Sequence, residues 1–185
     1  MAQDFINWHA QLQIQRWDEA ATKAANDAGF TDPTPEDFHT LGLLPYNEST
    51  VDNNLLTTAG VTRVVNLLNG GGALTVTTTT ARVGAGNGAG TAAVGDTDLS
   101  AAAGSANRWF QNATVSISAG VLTAVAVFGV NDGNFAWNEW GIDVTASNTS
   151  GNTVGTILLN HKTSIAQGTK ASGQTWTATA TITIS

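Results

Sequence analysis

The sequence predicts a mainly β protein, an antiparallel β-sandwich or jelly roll with an N-terminal helical arm. The last residues, 175–184, alternate strictly between threonine and apolar side chains, which is the period of a strand with one buried face. From about residue 70 onward the chain is rich in Gly and Thr, whereas residues 1–56 hold all three prolines and 11 of the 21 charged side chains. This shift in composition predicts an arm over residues 1–54 and a β-sandwich domain, opened by a short helix, over residues 55–185.

The arm is predicted to begin with a helix. Asp4 is a candidate N-cap, the helix is expected to run to about Asp27, and Gly29 is a stop just beyond it. Its apolar stripe must be buried, either against its own sandwich or against a neighbouring subunit. We favour the neighbouring subunit because the residues that follow resemble a tether. The side chains expected to anchor the arm are Phe5, Trp8, Leu12, Trp17, Phe38 and Tyr46.

Two further helices are predicted between the arm and the sandwich. Residues 34–37 (TPED) place a Thr N-cap before a Pro, and this short helix is expected to end at Gly42. Residues 43–56 show no period and predict an extended connector. A third helix is expected to open at Thr57 and Thr58, with its valines on one face, and to end at the three glycines 70–72.

The remaining segments predict strands and loops. Residues 84–104, rich in Gly and Ala, are expected to form a long loop. Residues 121–130 are apolar on both faces and predict a strand at the centre of the sheet or at an interface. A turn at residues 119–120 precedes that strand, and residues 131–134 (NDGN) predict another turn. The other expected strands are residues 74–80, 115–118, 137–144, 156–161 and 175–184.

The sequence offers no catalytic constellation. Glu139 and Asp143 are the acidic residues on a predicted core strand, but their even spacing puts both on one face of that strand. A buried Glu139 would need a cationic partner such as Arg108 or Arg82. We therefore expect a protein that is not an enzyme.

No cofactor and no metal ion are expected. The three histidines (His9, His39 and His161) are far apart in the chain, and no cysteine is present. The acidic residues of GDTD (95–98) and NDGN (131–134) could offer oxygen ligands, but turn formation is the preferred interpretation.

Charge and hydropathy limit the possible partners. The net charge is −7, and the seven basic residues are scattered singly, so binding to nucleic acid is not expected. No secretory signal is recognisable at the N-terminus, and no apolar run approaches the ~20 residues that span a bilayer. We expect a soluble protein made in a cytoplasm, with no membrane partner.

Over residues 55–185 the chain resembles small structural proteins of tailed bacteriophages. The similarity lies in Leu55–Gly72 (LLTTAGVTRVVNLLNGGG), Thr80–Leu99, Phe128–Ile142 (FGVNDGNFAWNEWGI), Gly155–Ser164 (GTILLNHKTS), Gly168–Trp176 (GTKASGQTW) and Thr179–Ser185 (TATITIS). Its most recognisable part is one strand, formed by Trp137, Asn138, Glu139, Trp140 and Gly141. The resemblance implies a β-rich domain, symmetric homo-oligomers that are often trimers, and no catalysis.

The resemblance and the arm together suggest a capsid decoration (minor capsid) protein. Its expected partners are the major capsid protein or other virion subunits, and its expected location is the virion, assembled in the host bacterial cytoplasm. A tail, collar, baseplate or fibre component is the first alternative. A carbohydrate-binding adhesin is the second, and it would require Trp137 and Trp140 to be exposed.

Overall fold

The computed structural model describes residues 8–71, 75–146 and 149–184. Strands hold 40% of the chain and helices 15%, so the protein is mainly β, as the sequence predicts. The strands join one antiparallel sheet that curls on itself.

The described residues contain three helices and ten strands. The helices are α1 (Glu19–Asp27), α2 (Pro35–Thr40) and α3 (Thr58–Leu68). The strands are β1 (Trp8–Trp17), β2 (Asn47–Asp52), β3 (Leu55–Leu56), β4 (Ala81–Gly86), β5 (Arg108–Ser118), β6 (Val121–Phe128), β7 (Glu139–Val144), β8 (Ile157–Leu158), β9 (Asn160–Thr163) and β10 (Thr175–Ile184).

The sheet has the order β2-β1-β10-β6-β5-β4-β7-β9-β3, and β8 pairs with β7. Strand β5 joins its two halves, because residues 108–112 pair with β4 while residues 113–118 pair with β6. The two edge strands, β2 and β3, are separated in sequence by Asn53 and Asn54 alone. The curl therefore brings the two ends of the strand order close together.

One apolar core fills the inside of the curl. It combines small side chains of β6 and β10, such as Ala124 and Ala178, with large ones of β7, such as Trp140 and Ile142. Strand β10 faces this core as its alternation predicts, with Trp176, Ala178, Ala180 and Ile182 buried.

The helix expected from Asp4 to Asp27 is wrong over its first part, because residues 8–17 form the strand β1. The sequence Ala10–Gln15 (AQLQIQ) alternates apolar and polar residues, and in the structure the apolar set is buried in the core. Hydrogen-bonded neighbours on both sides, β10 and β2, satisfy its backbone. The helical spacing of Trp8 and Leu12 was therefore coincidental, and Asp4 lies outside the described residues.

The separate arm expected over residues 1–54 is corrected for the same reason. Strand β1 lies inside the sheet, and residues 47–52 of the expected connector form the edge strand β2 beside it. Three glutamines on the outer face of β1 help to hold this edge: Gln11 donates to Asp52, while Gln13 and Gln15 donate to Glu48.

Both helices that follow β1 end where the sequence predicts. The N-cap of α1 is Asp18, whose carboxylate accepts from the Ala21 amide, and the helix ends at Asp27, just before Gly29. Helix α2 has the predicted Thr34 N-cap and Pro at its first turn. Together they cover one end of the sheet with a small second core of Trp17, Ala25 and Phe38.

Helix α3 has the predicted bounds but an inverted burial pattern. The hydroxyl of its N-cap, Thr57, donates to the carbonyl of Leu158. Gly60 lies so close to the sheet that a Cβ would clash with the carbonyl oxygen of Leu159. The side of the helix that contains Gly60 and Arg63 therefore faces the sheet. As a result, the apolar residues Val61, Val65 and Leu68 are exposed.

Two predictions between α3 and β5 are corrected. Residues 75–80, the described part of the strand expected over 74–80, form a turn in which the Thr80 hydroxyl bonds to the backbone of Thr75 and Thr77. Such bonds compete with a strand ladder. Residues 81–86, partly assigned to the 84–104 loop, form the fully buried strand β4, where Gly84 makes room for the Phe110 ring.

The central hairpin agrees with the prediction. Ala119 and Gly120 both have positive φ, as the tight turn between β5 and β6 requires. Strand β6, apolar on both faces, lies in the sheet between β10 and β5. No helix in the described ranges is long and apolar enough to cross a membrane.

Candidate functional site

A group of buried, hydrogen-bonded polar side chains lies between β7, β9 and the loop of residues 87–107. Glu139 on β7 and His161 on β9 are 0% and 1% exposed. Two loop residues are hydrogen-bonded to them, Ser100 to Glu139 and Asp96 to His161. These four residues, Asp96, Ser100, Glu139 and His161, are called the carboxylate–imidazole cluster below.

The carboxylate of Glu139 is a hydrogen-bond acceptor for the loop. Oε1 accepts from the amides of Gly88 (3.2 Å) and Ala101 (2.7 Å), and Oε2 accepts from the amide (2.8 Å) and hydroxyl (2.7 Å) of Ser100. Burial raises the pKa of Glu139, but the bonds from His161, Ser100 and Ala101 outweigh it and lower the pKa to about 2. The group is therefore ionised at neutral pH.

His161 lies between two carboxylates. Its Nδ1 is 2.6 Å from Oδ2 of Asp96, and its Nε2 is 2.8 Å from Oε2 of Glu139. Burial lowers the pKa of His161, but the hydrogen bonds to Glu139 and Asp96 raise it more. Donation at both nitrogens requires the imidazolium form. His161 thus supplies the positive charge that a buried Glu139 requires.

The arginines expected as partners of Glu139 pair elsewhere. Arg82 forms a two-point ion pair with Asp143, through Nε (2.9 Å) and Nη2 (2.5 Å). Arg108 pairs with Asp98 at 2.6 Å. The sequence correctly indicated that Glu139 needs a cation, but it named the wrong ones.

The cluster has the residue types of acid–base chemistry but not the geometry. Both Glu139 oxygens and both His161 nitrogens are bonded to protein groups, and neither side chain reaches solvent. A general base must reach a substrate proton within hydrogen-bond distance. Within residues 8–71, 75–146 and 149–184, no group of three or more His, Cys, Asp or Glu side chains is placed to hold a metal ion. The arrangement fastens the loop to the sheet.

The residues expected to anchor an arm do not form a docking surface. Leu12 lies in the main core, and Trp17 stacks on Phe38 with ring centroids 4.3 Å apart in the second core. Trp8 is partly buried on β1, and Phe5 lies outside the described residues. Tyr46 alone of the described anchors is largely exposed. Their apolar surface is thus used mainly within the chain.

Residues 137–141, which carry part of the resemblance to phage proteins, include two buried tryptophans. Trp137 is buried between Phe128 and Trp176, and its Nε1 donates to the carbonyl of Gly133 (3.0 Å). Trp140 is 1% exposed. An adhesin would require both indoles to be exposed, so this structure does not favour a sugar platform at this strand.

The strand expected from residue 137 begins only at Glu139, so Asn138 precedes β7 and Gly141 lies within it. The amide side chain of Asn138 donates to the carbonyl of Asn87 (3.2 Å), which holds the start of the loop. At Gly141 a Cβ would clash with the carbonyl oxygen of Asn160 on the adjacent strand. The motif therefore serves packing and loop attachment.

The surface feature that sequence reasoning missed lies on α3. Its exposed face presents Val61, Val65 (54% exposed) and Leu68 (84% exposed), and Val94 of the loop is exposed nearby. A groove of about 510 Å³ separates α3 from the turn of residues 93–97. The helix was predicted with an apolar face, but only the contact of Gly60 with β8–β9 reveals that this face is turned outward.

No protein-family model, curated protein or solved structure matches this chain.

Proposed function

We propose that this chain is a non-enzymatic structural subunit of a tailed-bacteriophage virion, a capsid decoration protein that binds the assembled head and stabilises it. The observation that carries the proposal is the outward-facing apolar side of α3, formed by Val61, Val65 and Leu68. Contiguous apolar side chains on a protein surface are typical of contacts with other proteins. The resemblance of residues 55–185 to phage structural proteins supports this assignment.

In this proposal α3, and not the N-terminal segment, contacts the neighbouring subunit. The expected anchors Leu12, Trp17 and Phe38 are occupied in the two cores of the chain itself. Helix α3 is held to the sheet at its start by Thr57, so its outer face is presented by a fixed support.

The state of the carboxylate–imidazole cluster supports a function without catalysis. Its acid and base groups are enclosed and engaged by the loop of residues 87–107. Only 11% of all residues are charged, and a surface rich in hydroxyls and amides suits a subunit with many neighbours.

The finer architecture belongs to the same proposal. We take the two halves of the curled sheet, joined at β5, as the two layers of a β-sandwich, because side chains from both halves share one core. A homo-oligomer, with a trimer favoured, would present several copies of α3 to the capsid. Several weak contacts then add through effective concentration.

Immunogold labelling of particles from the source of this chain tests the proposal. Antibody raised against the purified protein is expected to decorate heads. Labelling confined to tails, collars or fibres would replace the capsid assignment with a tail component. Particles that contain no trace of the chain, by labelling and by mass spectrometry, would contradict the structural role.

A further inference from the structure

Arg63 on α3 is a buried cation for which the described part of the chain offers no ion-pair partner. Its side chain is 2% exposed, and within the described residues its Nε and Nη2 have no hydrogen-bond acceptor. The other buried arginines are all engaged: Arg82 by Asp143, Arg108 by Asp98, and Arg16 by Asn47 and the Trp176 ring. An unpaired buried charge is costly, so Arg63 requires an explanation that the other three do not.

Arg63 lines the groove between α3 and the turn of residues 93–97. Much of the rest of the lining is apolar or carries hydroxyls, with Ala59, Val94 and Ile157 beside Thr58 and Thr62. Asp96 also lines the groove, but its carboxylate is paired with His161 and accepts from the Ala93 amide (2.8 Å).

We propose that this groove is a binding site for a carboxylate carried on a short apolar group, with the Arg63 guanidinium as the recognition element. The planar fork of a guanidinium matches the two oxygens of a carboxylate. The apolar walls would cover the stem of the ligand, and the volume of about 510 Å³ accommodates a group of this size.

The charge balance favours a carboxylate over a phosphate. Arg63 offers one positive charge, which one carboxylate neutralises. A phosphate would bring up to two negative charges into a groove with apolar walls, where the Asp96 carboxylate already lies. Its lost hydration would not be recovered.

The carboxylate has two possible sources, a free organic acid or an acidic group of a neighbouring subunit. The second source rests on the proposed function, in which a neighbouring subunit contacts the exposed face of α3. That face adjoins the groove. The chemistry at Arg63 is the same in both cases. The experiments therefore test first whether Arg63 binds a carboxylate, and then whether that carboxylate comes from a free acid or from a neighbouring subunit.

Sodium butyrate, titrated into the isolated protein and followed by amide NMR, tests the chemistry. Saturable shifts are expected at residues 58–62 and 93–97, with a dissociation constant on the order of millimolar for so small a ligand. Sodium chloride controls for ionic strength, and inorganic phosphate tests the ligand class. Arg63→Met should abolish the butyrate shifts. Lys23→Met, the same charge change at an exposed site on α1, should preserve them.

Thermal melting separates a recognition residue from a structural one. Arg63→Met should melt higher than the wild type, because it removes an uncompensated buried charge. A melting temperature below that of the wild type would identify Arg63 as a structural residue and would overturn the proposal. If the carboxylate belongs to a neighbouring subunit, Arg63→Met should also lower the mass of any oligomer seen by sedimentation.

Besides a lowered melting temperature, three results would overturn the proposal. The first is butyrate binding that Arg63→Met does not affect. The second is phosphate binding at least as tight as butyrate binding. The third is the lack of butyrate binding together with unchanged association of Arg63→Met. None of these results bears on whether the chain is found on virions, so the proposed function could survive the failure of this site.

Discussion

Five hydrogen bonds converge on the carboxylate of Glu139, a residue with no exposed surface. Four of them come from the loop of residues 87–107, and the fifth comes from His161. Hydrogen bonds to an ionised group favour that form and contribute more than neutral ones. One side chain on β7 thus organises a long segment that has no regular structure of its own.

The stability of the protein should depend on pH through this cluster. The pKa of Glu139 is lowered from 4.5 to about 2, so its contribution is present above pH 4.5 and is lost as the pH falls toward 2. The pKa of His161 is raised from 6.5, so its contribution is complete below pH 6.5 and is lost as the pH rises through the raised value.

His161→Gln isolates the contribution of His161 to the pH dependence of stability. Between pH 6.5 and pH 8 the free energy of unfolding of the wild type should fall, while that of the variant should not show this fall. Urea denaturation at a series of pH values measures both. The range ends at pH 8 because Lys170, whose pKa burial lowers to about 8, then titrates with the opposite effect on stability. Equal slopes for the two proteins would contradict the assignment of an imidazolium.

Gly141 should be required for close packing of β7. Gly141→Ala places a methyl group against the carbonyl oxygen of Asn160 and should cost about 1–3 kcal/mol in thermal or urea denaturation. Gly151→Ala is the matched control, because a Cβ there meets no atom within 4 Å, and it should change stability by less than about 0.5 kcal/mol. Similar effects of the two changes would show that the Gly141 contact is not tight.

At the scale of elements, β1 decides the architecture. It lies between β10 and the edge strand β2 and contributes Ala10, Leu12 and Ile14 to the core. An element with two hydrogen-bonded neighbours cannot leave the sheet without exposing the apolar faces of both. The N-terminal segment is for this reason part of the folded body.

Deleting residues 1–17 should therefore unfold the protein, whereas an arm could be removed without loss of the fold. The expected result is loss of the cooperative thermal transition and of the near-ultraviolet circular dichroism of the tryptophans. Deleting residues 1–7 leaves β1 intact and is the matched control. A 1–17 deletion that melts cooperatively near the wild-type temperature would contradict the position of β1.

The elements predicted from sequence were those with local signals. Thr34 and Pro35 define the start of α2, Thr57 caps α3, and Ala119-Gly120 forms the hairpin turn. Each of these signals lies within a few neighbouring residues. Strand β1 was missed because the positions of Trp8 and Leu12 fit a helix as well. Its pairing partner, β10, lies at the other end of the sequence, so the information that decides between the two is not local.

The candidate site could be predicted only in part, for a similar reason. The need of a buried Glu139 for partners follows from its charge. Its actual partners, however, include backbone amides 38 to 51 residues away, which carry no side-chain signature. The unpaired Arg63 could not be predicted either, because the orientation of α3 depends on its contact at Gly60.

At the scale of the whole molecule, the residues that stabilise the fold differ from those that we propose contact a neighbouring subunit. The two cores enclose large aromatic residues, with Trp137, Trp140 and Trp176 inside the curled sheet and Trp17 in the second core. Apolar surface remains at α3, where Val65 and Leu68 project away from the sheet. Polar replacements there should leave the fold intact, since exposed side chains away from packing contacts change stability by less than about 0.5 kcal/mol.

The most direct test of the account is the binding of purified protein to virions that lack it, with the wild type compared with a Val65→Ser/Leu68→Ser double variant. The account predicts that the wild type binds heads saturably, whereas the double variant, at an unchanged melting temperature, binds with strongly reduced occupancy. Equal occupancy of the two proteins, or no binding of the wild type to any part of the particle, would contradict it.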